Sequence, residues 1–253
     1  MILKEKNLLQ FEKDLDELHI SLSDVQLDQF LTYYEMLVEK NKVMNLTAIT
    51  EFDEVMKKHF VDSLSLVKVC DLSGSFSVID VGTGAGFPGI PLKIAFPYLK
   101  LTLLDSLNKR VGFLQEVIEK LGLQNAEAVH GRAEDFAKPG KLRESYDLCV
   151  SRAVANLSVL SEYCLPYVKV GGKFISYKSD KINIESEGNR TEIEEAEHAI
   201  SVLGGKLAEQ KEFMLPSSDI YRNLVVIEKN RPTPKQYPRK AGTASKKPIV
   251  TKM

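Results

Sequence analysis

The chain has 253 residues, of which 43% are hydrophobic and 27% are charged. This length suits one sizeable domain or one domain with an appendage, and the composition argues against wholesale disorder or a fibrous repeat. The longest apolar runs are far shorter than the roughly 20 residues of a membrane-spanning helix, and the N-terminus lacks a signal-peptide core. Three cysteines without a C-x-x-C spacing argue against a disulfide framework or a zinc ribbon. We therefore expect a cytoplasmic protein with no metal and no membrane partner.

Basic residues are concentrated at the C-terminus. The whole chain has a formal charge of −1, yet residues 231–253 hold seven basic residues and no acidic one. The same segment holds four prolines, which disfavour helices and central strands. We expect a basic, flexible tail there. It is either a solvated terminus or a contact for a nucleic-acid backbone, from which lysine and arginine displace counterions.

Residues 1–72 form a predicted helical extension. Ser23 and Gln26 have the spacing of a capping box, and apolar residues recur at helical intervals after them. A loop is predicted over residues 45–50, and a second helix after it.

From residue 73 onward, predicted strands and helices alternate. Such alternation implies parallel strands joined by right-handed crossovers, whereas the short connection between the last two strands suits an antiparallel pair. The layout resembles the class I S-adenosylmethionine-dependent methyltransferase fold, an α/β fold whose mostly parallel seven-stranded sheet ends in an antiparallel hairpin. We place this domain at residues 73–230, after the helical cap and before the tail. The predicted strands cover residues 76–81, 101–105, 126–130, 146–150, 173–177, 206–215 and 223–229.

A glycine-rich turn follows the first predicted strand. Gly82, Gly84 and Gly86 come directly after the apolar run that ends at Val81. Glycine permits a tight turn and a close approach of backbone to ligand, and N–H groups at the next helix start favour polar or anionic groups. Read from Gly82, the turn has the D-x-G-x-G-x-G form of methyltransferases; read from Gly84, it has the G-x-G-x-x-G form of dinucleotide-binding proteins. The end of the strand at Val81 favours the first reading.

Acidic residues follow the next two predicted strands. Asp105 ends the second strand, at a position where a carboxylate can accept hydrogen bonds from both ribose hydroxyls. Ala133 and Glu134 follow the third strand, where a backbone N–H and an acidic side chain can reach an adenine edge. The alternatives are a helix N-cap for Asp105 and a helix-start acid for Glu134. The glycine turn, Asp105 and Glu134 thus follow the first, second and third predicted strands. In a doubly wound sheet, the ends of these strands lie along one edge, where ligands bind.

Arg152 directly follows the fourth predicted strand, where such folds place the reacting end of the substrate. We interpret it as a ligand or substrate contact, with a structural ion pair as the alternative. The segment lacks the N-P-P-Y, D-P-P-Y and Pro-Cys signatures of enzymes that methylate exocyclic amines or pyrimidine C5. The four histidines are scattered, so the catalytic residues stay unknown and we expect no general base.

Several stretches together resemble the bacterial 16S ribosomal RNA guanine-N7 methyltransferase G family, also called glucose-inhibited division protein B. The resemblance covers nearly the whole chain. Its most specific part is the combination of the glycine loop, the prolines that follow it in the sequence, and the segment after the fourth strand. The matching stretches are residues 45–47, 59–64, 80–91, 103–110, 132–134, 151–153 and 235–242.

The resemblance implies that the cofactor is S-adenosylmethionine and that the substrate is one guanine of 16S ribosomal RNA. The RNA is free, in the small ribosomal subunit or in an assembly intermediate. Guanine N7 has an exposed lone pair, so its methylation needs alignment and no base. The implied cofactor contacts are Gly82, Phe87, Ala133, Glu134 and Arg152.

The substrate-side candidates are Asn45, His59, Asp62 and Lys178. The first three lie in the family-like helical segment, and Lys178 follows the fifth strand, where it can meet a phosphate. His59 is equally consistent with a helix-surface histidine, and Lys178 with a solvated lysine.

Three functions compete at this point. The first is an RNA methyltransferase, which the glycine frame, the strand order and the basic tail favour. The second is a methyltransferase for a small molecule or a protein, in which the tail is incidental. The third is a nicotinamide-dependent dehydrogenase or a dinucleotide sensor, which requires the other glycine frame.

Overall fold

Short aliphatic runs form one seven-stranded sheet in the computed structural model, which describes residues 8–185 and 190–249. The strands are β1 (Ser77–Val81), β2 (Lys100–Asp105), β3 (Ala126–His130), β4 (Tyr146–Arg152), β5 (Val168–Lys178), β6 (Gly205–Met214) and β7 (Tyr221–Lys229). The α-helices are α1 (Leu9–Glu17), α2 (Asp24–Met44), α3 (Phe52–Val55), α4 (Asp62–Leu64), α5 (Gly89–Ala95), α6 (Asn108–Lys120), α7 (Ala133–Phe136), α8 (Leu157–Cys164), α9 (Glu192–Val202) and α10 (Thr243–Lys246).

The strand order is β3-β2-β1-β4-β5-β7-β6. The first five strands pair in parallel, and β7 is antiparallel to both of its neighbours. This confirms the class I methyltransferase fold that the sequence predicted. Because all five parallel strands run the same way, their carboxyl ends lie along one edge, and the glycine turn, Asp105 and Arg152 lie at that edge.

Alternation along the strands divides the core between the two faces of the sheet. Val78 belongs to an apolar cluster with Phe30 and Phe60, whereas its neighbour Ile79 belongs to a second cluster with Leu160. Successive side chains of a strand point to opposite faces, so each central strand supplies both clusters. The N-terminal helices therefore share a core with one face of the sheet, and α8 and α9 share a core with the other.

The predicted capping box at the start of α2 is present, and α9 begins with a second one. The Ser23 hydroxyl accepts a hydrogen bond from the Gln26 amide, and the Gln26 side chain accepts one from the Ser23 amide. Thr191 and Glu194 exchange the same two bonds at the start of α9. These bonds satisfy backbone groups that a helix end leaves unpaired.

The helix predicted after the loop at residues 45–50 differs from a regular α-helix. Between α3 and α4, residues Met56–Val61 form a π-helical segment. The side chains of Met56, Phe60 and Leu64 are buried in the core. A π-helical turn changes the rotation between residues, and such turns are frequent at functional sites. Here the turn carries His59 on the side that faces the carboxyl edge of the sheet.

The described part of the C-terminal segment is packed, which corrects our expectation of a flexible tail. Arg239 forms a bidentate ion pair with Glu162, and Ala244 and Ile249 are buried. The composition suggested flexibility because the acidic and apolar partners of this segment lie far away in the sequence. Residues 1–7 of the expected helical extension and 250–253 of the expected tail lie outside the described part. The predicted boundaries of the methyltransferase-like domain, between residues 72 and 73 and between residues 230 and 231, stay predictions.

In the part of the chain that the structure describes, no helix combines the length and the apolar character that a membrane span requires.

Asp80 ties the end of β1 to the start of α5. Its Oδ2 accepts hydrogen bonds from the Thr83 hydroxyl at 2.7 Å and from the Gly89 amide at 2.8 Å. Its Oδ1 has no hydrogen-bond partner among the described residues, although the side chain is fully buried. Burial raises the pKa of the Asp80 carboxyl to about 7, against the two hydrogen bonds and the charge of Arg152, which lower it.

We expect Asp80→Asn to change the pH dependence of stability. The pKa of Asp80 is raised in the folded state, so the wild-type protein loses stability as the pH rises from the unfolded pKa of about 4 to about 7. The variant lacks this loss, so its unfolding free energy relative to wild type should rise by up to about 1.4 kcal/mol per pH unit. Urea titrations at several pH values measure this difference.

Asp147→Asn is the matched control. Burial raises the pKa of Asp147, but hydrogen bonds from Ser77 and Lys169 outweigh that effect, so the net pKa is lowered. The stability of this control relative to wild type should therefore fall as the pH rises toward the unfolded pKa of about 4, and should stay level from there to pH 7. A pH-independent difference for Asp80→Asn would contradict the assignment.

Candidate functional site

Two cavities open at the carboxyl edge of the parallel strands. The first has a volume of about 150 Å³, and we call it the nucleoside cavity. The second has a volume of about 520 Å³, and we call it the acceptor cavity. Consecutive residues after β4 line both, since Ala153 belongs to the acceptor cavity and Val154 to the nucleoside cavity. Four of the residues predicted to bind cofactor line the nucleoside cavity: Gly82, Asp105, Ala133 and Glu134.

The glycine turn needs glycine for two different reasons. Gly82, Gly84 and Gly86 all have positive φ angles, of 72°, 63° and 109°, which side-chain-bearing residues rarely adopt. At Gly82 an added Cβ would lie 2.5 Å from the Val154 side chain, so this position also requires the absence of a side chain. At Gly84 an added Cβ would meet nothing within 4 Å, so the backbone there faces open space that a ligand can approach.

Asp105 organises the turn from the neighbouring strand. Its Oδ2 accepts a hydrogen bond from the Gly84 amide at 2.9 Å, and its Oδ1 accepts one from the Leu107 amide at 2.9 Å. Arg110 lies 3.6 Å from the same carboxylate. The bond to Leu107 is a local turn before α6 and not the helix N-cap considered as the alternative, because Leu107 is the N-cap residue and no side chain caps this helix. Asp105 lines the nucleoside cavity at the same time, so its structural role and a binding role are compatible.

Ala133 and Glu134 begin α7 at the far side of the nucleoside cavity. The Ala133 carbonyl accepts a hydrogen bond from the Tyr167 hydroxyl at 2.6 Å, which fixes the start of this short helix. Glu134 is 4% exposed, and its Oε1 accepts a hydrogen bond from the Gly242 amide of the C-terminal segment at 2.7 Å. A buried carboxylate with remaining acceptor capacity is therefore held at the cavity wall.

A charged triad forms the floor of the acceptor cavity. Arg152 donates from Nη1 to Oδ2 of Asp62 at 2.9 Å, and Arg222 donates from Nε to Oδ1 at 2.8 Å. Asp62 is 2% exposed, so its charge is compensated by both guanidinium groups. The ion-pair alternative for Arg152 is thus realised, and Arg152 also lines the cavity. Two cations against one anion leave this floor positively charged.

His59 is fixed between Arg152 and the loop that precedes α3. Arg152 Nη2 lies 3.3 Å from Nδ1, and the Thr47 hydroxyl lies 2.8 Å from Nε2. Arginine can only donate, so Nδ1 accepts and the neutral ring carries its proton on Nε2. Burial and then the charge of Arg152 lower the pKa of His59 to about 3. His59 is therefore a neutral, oriented residue at the cavity and not a solvated helix-surface histidine.

Phe87 lies beneath these groups and lines neither cavity. Its ring stacks on His59 with centroids 4.5 Å apart, and the guanidinium carbon of Arg152 lies 5.1 Å from its centroid. Tyr33 packs on another side of the ring. The side chain of Phe87 thus supports the residues of the acceptor cavity, and a direct cofactor contact for it stays a prediction.

The other two substrate candidates have structural partners or positions. Asn45 ends α2 in the left-handed region with φ 48°, where asparagine is favoured, and it is not among the residues that line either cavity. Lys178 lines the acceptor cavity, but its Nζ donates to Glu192 at 2.6 Å and to the Ala155 carbonyl at 3.0 Å. The positive charge of Lys178 is therefore compensated within the protein.

Sequence reasoning missed several residues at the two cavities. Arg222 and Lys58 line the acceptor cavity, and Tyr163 and Val154 line the nucleoside cavity. Val154 follows the Arg152 segment directly, so the position after β4 was a signal for it. Arg222 lies on an antiparallel strand that begins at the same edge, and nothing in its local sequence distinguishes it.

The described residues hold no cluster of three or more potential ligand side chains that fits a metal ion. A further cavity of about 410 Å³ lies at the opposite, amino edge of the sheet, beside Ser77 and Lys100. None of the residues predicted to bind cofactor or substrate lines it.

The comparisons with known proteins agree with the geometry. A family described as rRNA small subunit methyltransferase G matches residues 26–214. A ribosomal RNA small subunit methyltransferase G of Alkaliphilus metalliredigens is 58% identical over 233 residues, which are 92% of this chain and 95% of the relative. The protein of the same name from Lachnoclostridium phytofermentans is 52% identical over 242 residues, which are 96% of this chain and 97% of the relative.

A solved structure of a SAM-dependent methyltransferase from Aquifex aeolicus has the same fold. It is 19% identical, has a TM-score of 0.51 and covers 75% of this chain and 97% of its own length. The match over nearly the whole length of relatives that are more than half identical decides the family, and it confirms the resemblance inferred from the sequence. The chain belongs to the rRNA small subunit methyltransferase G family, GidB, whose enzymes take the methyl group from S-adenosylmethionine.

Proposed function

We propose that the protein transfers the methyl group of S-adenosylmethionine to N7 of a guanine in 16S ribosomal RNA, in the cytoplasm. The observation that carries this proposal is the pair of adjoining cavities at the carboxyl edge, which share the segment after β4. One cavity has the carboxylates that suit a nucleoside, and the other has a cationic floor that suits an RNA acceptor. The relatives are named for action on small-subunit ribosomal RNA.

The nucleoside cavity fits the adenosine part of the cofactor. Asp105 keeps acceptor capacity for ribose hydroxyls, and Glu134 keeps acceptor capacity for an adenine edge. A volume of about 150 Å³ is below the roughly 300–1,000 Å³ of a complete ligand site, so it holds only part of the cofactor. The open backbone face at Gly84 provides room beside it.

The acceptor cavity fits the target nucleotide. Arg152, Lys181 and Arg222 bring positive charge to its lining, which favours the anionic backbone of RNA. Arg152 is the link between the two cavities, since it lies in the acceptor cavity and precedes the residues at their common wall. We place the guanine here.

The reaction needs orientation and no proton acceptor. The methyl group passes from the sulfonium sulfur to N7, so a sulfur–carbon bond breaks, a nitrogen–carbon bond forms and the positive charge moves to the base. N7 carries no proton, and His59, with a pKa of about 3, stays neutral around pH 7 and is not required as a base. The residues of the site hold the two reactants in line, which can supply roughly 7–11 kcal/mol of barrier reduction.

Exposed lysines of the C-terminal segment provide a surface for RNA. Lys235, Lys240, Lys246 and Lys247 are exposed. Gly242 lies between them and donates to Glu134 at the nucleoside cavity, so the neighbouring lysines lie close to the reaction site. Their charge can displace counterions from an RNA backbone that enters the acceptor cavity.

Label transfer followed by RNA digestion tests the function. The protein is incubated with methyl-labelled S-adenosylmethionine and with unmodified 16S RNA, intact small subunits or assembly intermediates. We expect label in 7-methylguanosine at one position, from at least one of these three substrates. Label in a different nucleoside would refute the N7 assignment, and label only in protein or small molecules would support the competing methyltransferase function.

We expect Gly84→Arg to abolish cofactor binding. The long side chain would fill the open space in front of the turn, and the positive φ adds strain. Gly122→Arg is the matched control, because Gly122 also has open space and a positive φ, of 64°, and it follows α6 outside both cavities. Calorimetric titration with S-adenosylmethionine should show no binding for the first and near wild-type affinity for the second. Near-normal affinity of Gly84→Arg would contradict the site.

We expect Arg152→Ala to lower turnover by about tenfold to a hundredfold, as the loss of charge-assisted hydrogen bonds predicts. Arg222 still compensates the charge of Asp62, so the fold should persist. Arg222→Ala removes the other partner of Asp62 but not the contacts to His59 and Phe87. Single-turnover rates should fall further for Arg152→Ala than for Arg222→Ala. Equal losses would mean that compensation of Asp62 is the whole role of Arg152.

Replacing Lys240, Lys246 and Lys247 by glutamine should weaken RNA binding. The slope of log affinity against log salt concentration should become shallower, by an amount that corresponds to the loss of up to about three phosphate contacts. The affinity for S-adenosylmethionine should stay near wild type. The matched control replaces three exposed lysines at the amino edge of the sheet, Lys100, Lys120 and Lys206, and should bind RNA normally. Equal loss in both triple variants would indicate a general charge effect rather than a docking surface.

A further inference from the structure

The C-terminal segment completes the wall of the nucleoside cavity. The Gly242 amide donates a hydrogen bond of 2.7 Å to Oε1 of Glu134, and Glu134 lines that cavity. Gly242 has φ 79°, and an added Cβ there would meet nothing within 4 Å. The contact spans more than a hundred residues of sequence, so it exists only while the segment stays in place.

Arg239 holds the segment in place. Its Nη2 donates to Oε2 of Glu162 at 2.5 Å, its Nε donates to Oε1 at 3.0 Å, and its backbone amide donates to Oε1 at 2.8 Å. Glu162 is 1% exposed, so this carboxylate depends on Arg239 for compensation of its charge. The hydrogen bond to Gly242 begins only three residues further along the chain.

The anchor and the cavity share helix α8. Tyr163 follows Glu162 directly and lines the nucleoside cavity. Ala244 of the C-terminal segment is buried. The ion pair of Arg239 with Glu162 and the amide contact of Gly242 with Glu134 therefore hold the segment beside two residues that line the cavity, Tyr163 and Glu134.

We propose that Arg239 is a positioning residue for cofactor binding. Through Glu162 it fixes residues 239–245, and the Gly242 amide then holds the Glu134 carboxylate in one orientation. A pre-oriented carboxylate has less rotamer freedom to lose when a ligand binds. The inference rests on the proposed function, in which Glu134 contacts the adenosine part of S-adenosylmethionine.

A double-mutant cycle tests the coupling. Equilibrium binding of S-adenosylmethionine is measured for wild type, Arg239→Ala, Glu134→Ala and the combination. We expect Glu134→Ala to weaken binding by about tenfold or more. Arg239→Ala alone should weaken it by about fivefold to tenfold, as is typical within one contact network. In the Glu134→Ala background, Arg239→Ala should have little further effect, because no carboxylate remains to be positioned.

The outcomes separate the two proposals. Unchanged affinity in Glu134→Ala would overturn the proposed cofactor contact. Weakened binding in Glu134→Ala with wild-type binding in Arg239→Ala, or strictly additive effects, would overturn the positioning role alone. Arg231→Ala is the matched control, because it removes one guanidinium group of the same segment at an exposed position, hydrogen-bonded to the Ser201 carbonyl outside the nucleoside cavity, and should leave affinity unchanged.

A measurement on the unaltered protein covers the case in which Arg239→Ala fails to fold, since that variant leaves Glu162 buried without its counter-charge. Amide hydrogen exchange is compared with and without saturating S-adenosylmethionine. We expect slower exchange in residues 239–245, and no change in strand β6, which lies at the far edge of the sheet. Unchanged exchange of the segment would overturn the inference without any substitution.

Discussion

The carboxylate of Asp62 is the interaction on which the acceptor side of the molecule depends. It belongs to the N-terminal helical segment, yet its two partners, Arg152 and Arg222, belong to the sheet. Removal of Asp62 would leave two guanidinium groups close together without a counter-charge, which is costly in a buried place. The N-terminal helices therefore do more than cover one face of the sheet. They supply the negative charge that allows two arginines to lie at the cavity floor, and the π-helical turn before Asp62 places His59 against one of them.

The fold was predictable because its signals are local. Alternation and turn residues predicted every strand of the sheet, and β3 has the predicted bounds. Both capping boxes can be recognised from the sequence, because each needs only four consecutive residues. The π-helical segment and the packing of the C-terminal segment were not predictable in the same way. The packing of the C-terminal segment depends on partners distant in sequence, such as Glu162 for Arg239, and composition carries no information about such pairs.

The candidate site was predictable to the extent that strand ends determine it. In a parallel sheet the residues after β1, β2 and β4 must meet at one edge, so Gly82, Asp105 and Arg152 lie together there. What a side chain contacts within that edge was less predictable. Lys178 lies at the predicted place but is compensated by Glu192, and Phe87 lies under the site rather than in it.

The C-terminal segment shows why net charge is an incomplete guide to function. Two groups among its basic residues differ chemically: Arg239 is directed inward to a buried carboxylate, whereas Lys246 and Lys247 are exposed. The planar guanidinium group suits a bidentate buried pair, and the strongly hydrated ammonium group suits a solvated surface. The division therefore follows from side-chain chemistry. Because Gly242 lies between the two groups and contacts Glu134, deletion of the segment would remove a contact at the nucleoside cavity and a cationic surface together. Only substitutions that separate arginine from lysine can distinguish the two roles.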